Sequence, residues 1–341
     1  MTLSIGDRIP GVFGAAADGR MYSLDIQAGV PTVLVALGGL DAARARGIMD
    51  AIAEALPKVR ARGGDIVPIA PIGAFAGAQD LLAQSPIIFV ADASGLDTLC
   101  LEGRPACVVL DRSARILDLT ALDPRPDLAA VFDAATAHIP RENAQVFSSC
   151  APVLMIPNVA SAAFCQAVIA YFESMPHTTG VMASYVDGEA KARIDLGKKH
   201  RQDMELAAGS PLHDAVMELI ARRIVPEIKR AFQKDITFAD RILIARYDDD
   251  GGYFRRHRDD AAPQTAFRQF AISLNLNTHE YEGGELMFPE YNDHRYNPPA
   301  GGAAVFSASL LHEACPVTRG SRYVLLSFLC GADAAPQTST A

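Results

Sequence analysis

The first 140 residues alternate short apolar runs with segments in which apolar residues recur at helical spacing. Short continuous apolar runs bounded by turn residues predict strands that are buried on both faces. The predicted strands are Thr32–Leu37, Ile66–Ala70, Ile87–Ala91, Ala106–Leu110 and Ile116–Leu119. Helices are predicted over Ala42–Ala61 and Leu128–Ala137, where the apolar residues share one stripe. Alternation of this kind favours a layered α/β domain.

The pattern changes in the second half of the chain. Two predicted helices, Ala162–Ser174 and Leu212–Phe232, frame a region that is followed by a dense series of strands. The strand candidates are Val153–Ile156, Ile242–Tyr247, Phe270–Leu276, Glu285–Phe288, Ala303–Ser307 and Tyr323–Leu329. Gly-Gly pairs at 251–252, 283–284 and 301–302 lie between strands as turn formers. Helices that precede many short strands predict a helix-supported β-sandwich or jelly roll.

These patterns divide the chain into four parts. We expect an α/β domain over residues 1–140, a linker over 141–152, an α+β jelly-roll domain over 153–332 and a polar tail over 333–341. The length of 341 residues agrees with two domains, because a domain usually takes about 100–200 residues. Each half is long enough to bury a core of its own.

Charge and cysteine usage narrow the functional classes. The 31 basic and 40 acidic residues give a net charge of −9, which disfavours nucleic acid and anionic membranes as partners. The basic patch at residues 198–201 is interpreted as a solvated loop, within a longer loop expected from about residue 186 to residue 209. We expect no signal peptide and no membrane span, because the chain lacks the apolar segments that both need. Six cysteines fit no zinc spacing and indicate a reducing, cytoplasmic location.

His257, Asp259 and His312 are the candidate metal ligands. Residues i and i+2 of an extended segment point to the same face, so His257 and Asp259 can reach one ion. Arg258 and Asp260 then point away, and His312 follows 55 residues after His257. Two histidines and one carboxylate on one face of a metal form the facial triad of non-haem Fe(II) oxygenases. By itself H-x-D is a common sequence, and a lone histidine in a strand is more often structural than a ligand.

Arg322 is a candidate anion-binding residue. It lies ten residues after His312, at the start of the last apolar strand. An inward-pointing arginine beside a metal can form a bidentate pair with a carboxylate. The alternative is a surface charge at the edge of a strand, and taken alone the residue favours that alternative.

Four segments of the second half resemble the 2-oxoglutarate oxygenases of the prolyl-4-hydroxylase type. They are residues 247–259 (YDDDGGYFRRHRD), 268–275 (RQFAISLN), 282–289 (EGGELMFP) and 299–329 (PAGGAAVFSASLLHEACPVTRGSRYVLLSFL). The resemblance extends from about residue 153 to residue 330, roughly half of the chain. Leu286 departs from the family pattern, in which a polar Thr often follows Gly-Gly-Glu, and this concerns packing beside the site.

The resemblance implies a dioxygenase whose Fe(II) is held by His257, Asp259 and His312. It implies that Arg322 binds the C5 carboxylate of 2-oxoglutarate and that Tyr247 makes a second contact with it. No catalytic residue beyond the metal centre is implied, and ascorbate is a reductant consistent with the family. The expected partners are O2 and a peptide, protein or small-metabolite substrate that is hydroxylated at an unactivated C–H. Three further side chains of metal-binding type are assigned to the surface or the substrate rim: Asp260, His279 and His294.

The first half resembles a peroxiredoxin of the AhpC/TSA type, which has a thioredoxin-like fold. Residues 5–10 (IGDRIP) are similar to the opening of such proteins, and 104–111 (RPACVVLD) to the segment with the cis-proline and its following strand. The reactive cysteine is missing, because residues 38–47 (GGLDAARARG) contain none. A thiol peroxidase needs an activated thiolate there. We therefore expect a non-catalytic redoxin-like domain, in which Cys100 and Cys107 are the only thiols and Cys107 is inert.

Three functions from different classes remain open at this point. The first is the hydroxylase. The second is a binding module, in which the redoxin-like half docks a partner and the jelly roll senses iron or oxygen. The third is a thiol peroxidase fused to an oxygenase, against which the missing cysteine counts. The complete set of candidate ligands with Arg322 favours the first, and homodimerisation is an open alternative for the assembly.

Overall fold

The strands and helices fall into two units in a computed structural model, residues 1–145 and residues 146–341. The structure describes residues 3–9, 11–16, 19–72, 74–76, 78, 86–90, 105–123, 126–139, 144–186 and 189–334. The division between the units falls within the segment predicted as a linker, 141–152. Among the helices in these ranges, none is both long and apolar enough to cross a membrane.

The first unit is built on one mixed sheet. Its described strands are β1 (Phe13–Ala16), β2 (Met21–Ser23), β3 (Thr32–Ala36), β4 (Asp65–Pro71), β5 (Ile88–Val90), β6 (Ala106–Leu110) and β7 (Ile116–Ala121). They lie in the order β2-β1-β5-β4-β3-β6-β7. Strands β3, β4 and β5 run parallel, whereas β6 pairs antiparallel with both β3 and β7. The described helices are α1 (Leu24–Gln27), α2 (Ala42–Arg60) and α3 (Leu128–His138).

Strand β3 is buried on both faces, as its continuous apolar run predicts. Val33 and Val35 pack in one cluster with the apolar stripes of α2 and α3. Leu34 and Ala36 belong to a second cluster on the other face of the sheet. Because successive side chains of a strand point to opposite faces, an unbroken apolar run is what a doubly covered strand requires. The predicted α/β layering of this unit is thereby confirmed.

Helix α2 begins within the segment 38–47, which contains no cysteine. The position before the helix is Asp41, whose carboxylate accepts a hydrogen bond from the backbone N–H of Arg44 at 2.8 Å. A carboxylate in this place is a helix cap and not a nucleophile. Cys107 lies on β6 with 1% of its surface exposed, and burial raises the pKa of its thiol to about 12. Cys100 lies outside the described residues.

The second unit combines helices with many strands. Its described strands are β8 (Leu154–Ile156), β9 (Thr178–Thr179), β10 (Met182–Val186), β11 (Glu189–Arg193), β12 (Lys199–His200), β13 (Gln202–Glu205), β14 (Phe238–Tyr247), β15 (Tyr253–His257), β16 (Phe270–Asn275), β17 (Glu282–Gly283), β18 (Leu286–Met287), β19 (Arg295–Tyr296), β20 (Ala303–Ser307), β21 (His312–Ala314), β22 (Val317–Arg319) and β23 (Arg322–Cys330). Its helices are α4 (Ala162–Ser174), α5 (Pro211–Leu219) and α6 (Val225–Phe232), with a π-helical turn at Ile220–Ile224 and a 3-10 turn at Pro263–Thr265.

Two sheets face each other across an apolar core. The larger has the order β8-β20-β16-β23-β14-β13-β9, and the smaller has the order β12-β15-β21-β18-β19. Along β14, Ile242 and Ile244 pack with the helices, whereas Ala245 and Tyr247 pack with Ala314 of the smaller sheet. The period-two alternation of the strands thus produces two cores. This is the helix-supported sandwich that the sequence pattern predicts.

Three predictions about the second unit need correction. The helix expected over Leu212–Phe232 is divided by the π-helical turn before Pro226, since proline has no N–H to donate within a regular helix. The stretch 186–209, expected as a loop, contains β11, β12 and β13. The patch at residues 198–201, interpreted as a solvated loop, was wrong for two of its residues, because Lys199 and Arg201 are 4% and 7% exposed. Both side chains form an ion pair with the Asp203 carboxylate, which offsets part of the cost of burying them.

Candidate metal centre

His257, Asp259 and His312 converge at one point between the two sheets. Strands β15 and β21 are antiparallel with His257 directly opposite His312, so the register of this pair joins residues that are distant in sequence. The Asp259 carboxylate lies between the two rings, with Oδ1 3.5 Å from Nε2 of His257 and Oδ2 3.5 Å from Nε2 of His312. One ligand atom from each residue lies within 4.8 Å of the others, which is a spacing that a single metal ion can bridge.

Backbone carbonyl groups orient both imidazole rings. Nδ1 of His257 is 2.7 Å from the carbonyl oxygen of Arg255, and Nδ1 of His312 is 2.9 Å from that of Leu310. A carbonyl oxygen can only accept, so each Nδ1 carries the hydrogen and each Nε2 is left with its lone pair toward the centre. Burial lowers the pKa of His312 to about 4. A neutral imidazole with a free Nε2 is the form that binds a metal.

Asp259 is held as a carboxylate in spite of its burial. Burial by itself raises the pKa of an acid, but the neighbouring His312 and His257 outweigh it and hold the pKa of Asp259 below its ordinary value. Its backbone N–H also donates to the carbonyl oxygen of Ala308 at 2.9 Å, which anchors the turn after β15. The donor set of two imidazoles and one carboxylate suits a borderline divalent cation such as Fe(II).

The residues assigned to the surface or rim are not among the clustered ligands. Arg258 donates to the Glu290 carboxylate, and Asp260 accepts a hydrogen bond from the Ser309 hydroxyl. Two histidines of the same unit are exposed: His279 and His294.

Arg322 points into the same pocket as the triad and has no acidic partner among the described residues. It is 2% exposed, and its Nη2 donates to Ser273 Oγ at 3.3 Å and to Asn275 Oδ1 at 3.1 Å. Its Nε is buried without a hydrogen-bond partner. Burying a guanidinium with incomplete hydrogen bonding is costly, so the geometry is that of a receptor for an anion. Tyr247 stands beside it, with the Arg322 guanidinium carbon 5.2 Å from the ring centroid.

Two other arginines of the unit could in principle receive a carboxylate, and both are already paired. Arg246 contacts Glu173 at 2.9 Å and Asp248 at 3.0 Å. Arg268 contacts Asp240 at 2.6 Å and lies over the Phe328 ring. Since their charges are compensated inside the protein, Arg322 is the better match for an external anion.

The glycine pair of β17 and the following turn makes room for Arg322. Gly284 has a φ of +71°, and a Cβ built on it would lie 2.8 Å from Cδ of Arg322 and 3.0 Å from Cγ2 of Val317. Glycine is therefore needed here both for the backbone conformation and for the space beside the arginine. Leu286, which departs from the family pattern, is buried in the wall of the same pocket.

Three residues that line or support this pocket were not assigned a contact with the cosubstrate or with Arg322 from the sequence. Arg201 lines the pocket opposite Arg322, and its Nη1 donates to the Tyr247 hydroxyl at 2.7 Å. Ser273 and Asn275 accept from Arg322, and the Asn275 amide nitrogen is in turn bound by several acceptors, including the Pro298 carbonyl at 3.1 Å. A polar residue inside an otherwise apolar strand such as β16 is the signal that could have pointed to Ser273 and Asn275.

The chain is similar to several known proteins. Residues 242–330 match the 2OG-Fe(II) oxygenase superfamily model. A PKHD-type hydroxylase from Hyphomonas neptunium is 28% identical over 157 residues, which cover 43% of this chain and 67% of that protein. A PKHD-type hydroxylase from Burkholderia cenocepacia is 34% identical over 154 residues, with 41% and 64% covered. A crystal structure of a Pseudomonas putida prolyl-4-hydroxylase has 19% identity and a TM-score of 0.41, covering 53% of this chain and 92% of that one.

The matched segment contains all three triad residues, Tyr247 and Arg322. The chain spans about two thirds of the length of the two hydroxylases named above. The second unit thus carries a 2OG-Fe(II) oxygenase domain similar to that of the PKHD-type hydroxylases, and the chain is a 2-oxoglutarate-dependent dioxygenase that uses Fe(II) and 2-oxoglutarate.

Proposed function

We propose that this protein hydroxylates an unactivated C–H group of a peptide, a protein side chain or a small metabolite. In the balanced reaction, one oxygen atom of O2 enters the substrate and the other enters succinate, formed with CO2 from 2-oxoglutarate. The observation that carries the proposal is a single pocket that is lined by three candidate metal ligands and by a buried arginine without an acidic partner among the described residues. Each feature alone has a structural explanation, but together they match an iron ion and a dicarboxylate.

In this proposal each residue has a separate task. His257 and His312 bind iron through Nε2 and Asp259 through a carboxylate oxygen, and their backbone partners keep these atoms directed at the metal. Iron supplies the oxidising chemistry when it is bound together with O2 and the 2-oxo acid. Arg322 receives the C5 carboxylate of 2-oxoglutarate, and Tyr247 donates a second hydrogen bond to the cosubstrate.

The remaining wall of the pocket is apolar. It consists of Phe254, Ala271, Ile272, Leu286, Phe306, Ala314, Leu326 and Phe328. An apolar wall excludes water from the arginine and so strengthens its attraction for a carboxylate.

The substrate and the first unit belong to the proposal as well. The chains named above as relatives are PKHD-type hydroxylases, which supports hydroxylation as the reaction. Ascorbate is the reductant that we propose. Lys199 and Arg201 are both buried and both paired with Asp203, so they do not form an exposed basic surface for an acidic substrate. We propose that the first unit is thioredoxin-like and non-catalytic, which the β7-β6-β3-β4 order and the capping Asp41 support. The cytoplasm is the proposed location.

Metal analysis and product formation test the proposal together. Wild type should bind one Fe(II) per chain and release succinate from 2-oxoglutarate, whereas His257→Ala and His312→Ala should lose most of the metal. Asp260→Ala is the matched control, because its carboxylate lies beside the triad but is bonded to Ser309, and it should keep its iron. Full metal occupancy in both histidine variants would refute the ligand assignment. Wild type that binds iron and never forms succinate would favour the iron- or oxygen-sensing module.

A further inference from the structure

A network of buried charged side chains leads to the hydroxyl group of Tyr247. Lys199 Nζ is 2.9 Å from Asp203 Oδ2, and Arg201 Nε is 2.6 Å from Asp203 Oδ1. Lys199 also donates to the carbonyl oxygen of Val181 at 2.8 Å. Arg201 Nη1 then donates to the Tyr247 hydroxyl oxygen at 2.7 Å. This network reaches the pocket, because Arg201 and Tyr247 both line it.

We infer that Arg201 is a positioning residue, which turns the Tyr247 hydroxyl hydrogen toward the cosubstrate carboxylate. This inference rests on the proposed function of the pocket. A phenol has one hydrogen to donate and lone pairs to accept with. Arginine is always a donor, so the Arg201 contact must use a lone pair of Tyr247. Within the described residues nothing accepts the Tyr247 hydrogen, and it is free for a ligand.

The charges separate the roles of the two arginines that flank Tyr247. The guanidinium carbons of Arg201 and Arg322 lie 5.5 Å and 5.2 Å from the centroid of the Tyr247 ring. Arg201 forms an ion pair with Asp203, whereas Arg322 has no acidic partner in the described part of the chain. Arg322 therefore supplies the charge for an incoming carboxylate. Arg201 acts on the ligand only through the hydroxyl that it holds.

Strand pairing explains why the arrangement is rigid. Tyr247 stands opposite Arg322 in the β14–β23 pair, and β13 pairs with β14 with Gln202 opposite Arg246. Arg201 immediately precedes β13, the strand next to the one that carries Tyr247. The aromatic ring of Phe254, over which Arg201 also lies at 5.5 Å, closes the space on the side of the smaller sheet. The guanidinium has little freedom to leave the phenol oxygen.

A double-mutant cycle on Arg201 and Tyr247 tests the inference. The variants are Arg201→Met, Tyr247→Phe and the pair, with 2-oxoglutarate binding measured by calorimetry on Mn(II)-loaded protein and with kcat and KM measured on Fe(II)-loaded protein. Loss of a hydrogen bond to a charged group is expected to weaken 2-oxoglutarate binding roughly 10- to 100-fold in Tyr247→Phe. Arg201→Met should weaken it comparably, and should add less than about threefold once Tyr247 is Phe.

Further variants separate positioning from structure. Arg201→Lys keeps the charge and is the milder variant if Arg201→Met does not fold. Its affinity for 2-oxoglutarate should lie between those of wild type and Tyr247→Phe. In the Tyr247→Phe background, Arg201→Lys should have no further effect on that affinity. Arg241→Met is the matched control, since Arg241 bridges the same two strands through an ion pair with Glu205 and should bind 2-oxoglutarate as wild type does. Thermal unfolding of each variant records any structural cost separately from binding.

The outcomes distinguish the inference from the function on which it rests. Equal weakening by the Arg201 variants in the Tyr and Phe backgrounds would overturn the positioning role, as would wild-type binding in Arg201→Met. Wild-type protein that binds no 2-oxoglutarate would instead refute the proposed function of the pocket. An Arg322→Met variant that loses binding while the Arg201 variants keep it would leave the function standing and remove the inference.

Discussion

Replacement of Arg322 by Met is the sharpest test of the cosubstrate pocket. The guanidinium is 2% exposed, so solvent does little to screen its attraction for a carboxylate. Removal of one partner of a buried charge pair typically costs about 2–5 kcal/mol, because the other charge is left without compensation. At about 1.4 kcal/mol per tenfold, the apparent constant for 2-oxoglutarate should rise roughly 30-fold or more. Iron binding should survive, since Arg322 is not among the triad.

The assay is succinate formation against 2-oxoglutarate concentration, with the iron content of each variant determined alongside. Arg322→Lys should be intermediate, because it keeps the charge but loses the planar fork. Arg319→Met is the control: Arg319 lies three residues earlier, its side chain is 67% exposed, and it pairs with Glu282 at the surface. If Arg322→Met titrates 2-oxoglutarate like wild type, the carboxylate docks elsewhere and the reasoning from the unpaired guanidinium fails.

Three further predictions follow from individual residues. Gly284→Ala should raise the apparent constant for 2-oxoglutarate, because the added methyl group crowds Arg322. Gly209 has a similar φ of +75° but open space around it, so Gly209→Ala should only lower the unfolding temperature. Equal apparent constants for 2-oxoglutarate in the two variants would contradict this prediction. Burial lowers the pKa of Lys199 from 10.5 to about 8, so the unfolded chain binds more protons between these values. The free energy of unfolding of wild type relative to Lys199→Met should therefore increase from pH 8 to pH 10.5 in urea titrations, and a flat difference would count against the shift. Cys107→Ala should leave dioxygenase turnover unchanged, and neither form should reduce hydrogen peroxide faster than a free thiol; saturable reduction that disappears in the variant would restore the peroxidase hypothesis.

The local patterns were sufficient for most elements because they encode periodicity directly. The apolar run at Thr32–Ala36 and the stripe of Ala42–Arg60 gave a strand and a helix with nearly the predicted bounds. Ala162–Ser174 and Ala303–Ser307 have the bounds that the pattern predicts. The sequence pattern did not predict the π-helical turn at Ile220–Ile224, because the apolar residues on both sides of Pro226 keep a helical period even where the hydrogen bonding changes.

The candidate ligands could be named from the sequence because their chemistry is local. His257 and Asp259 stand two apart in an extended segment, and their side-chain types restrict what they can bind. Their partner His312 was identified through family resemblance, since spacing alone does not predict which strand lies opposite β15. The antiparallel register that sets His257 against His312 exists only in the folded sheet.

Burial and charge compensation were decided by the tertiary structure. Taken alone in the sequence, Arg322 was better explained as a surface charge at a strand edge, and Arg201 belonged to a basic patch interpreted as a solvated loop. Folding buried both side chains, and in the described part of the chain Arg201 has an acidic partner whereas Arg322 has none. Whether a charge is paired depends on residues from other strands, such as Asp203 for Arg201 and Asp240 for Arg268. A linear sequence specifies which groups a strand carries and on which face they lie, but the partner of each group is set when distant strands pair, because only then do their side chains share a low-dielectric space.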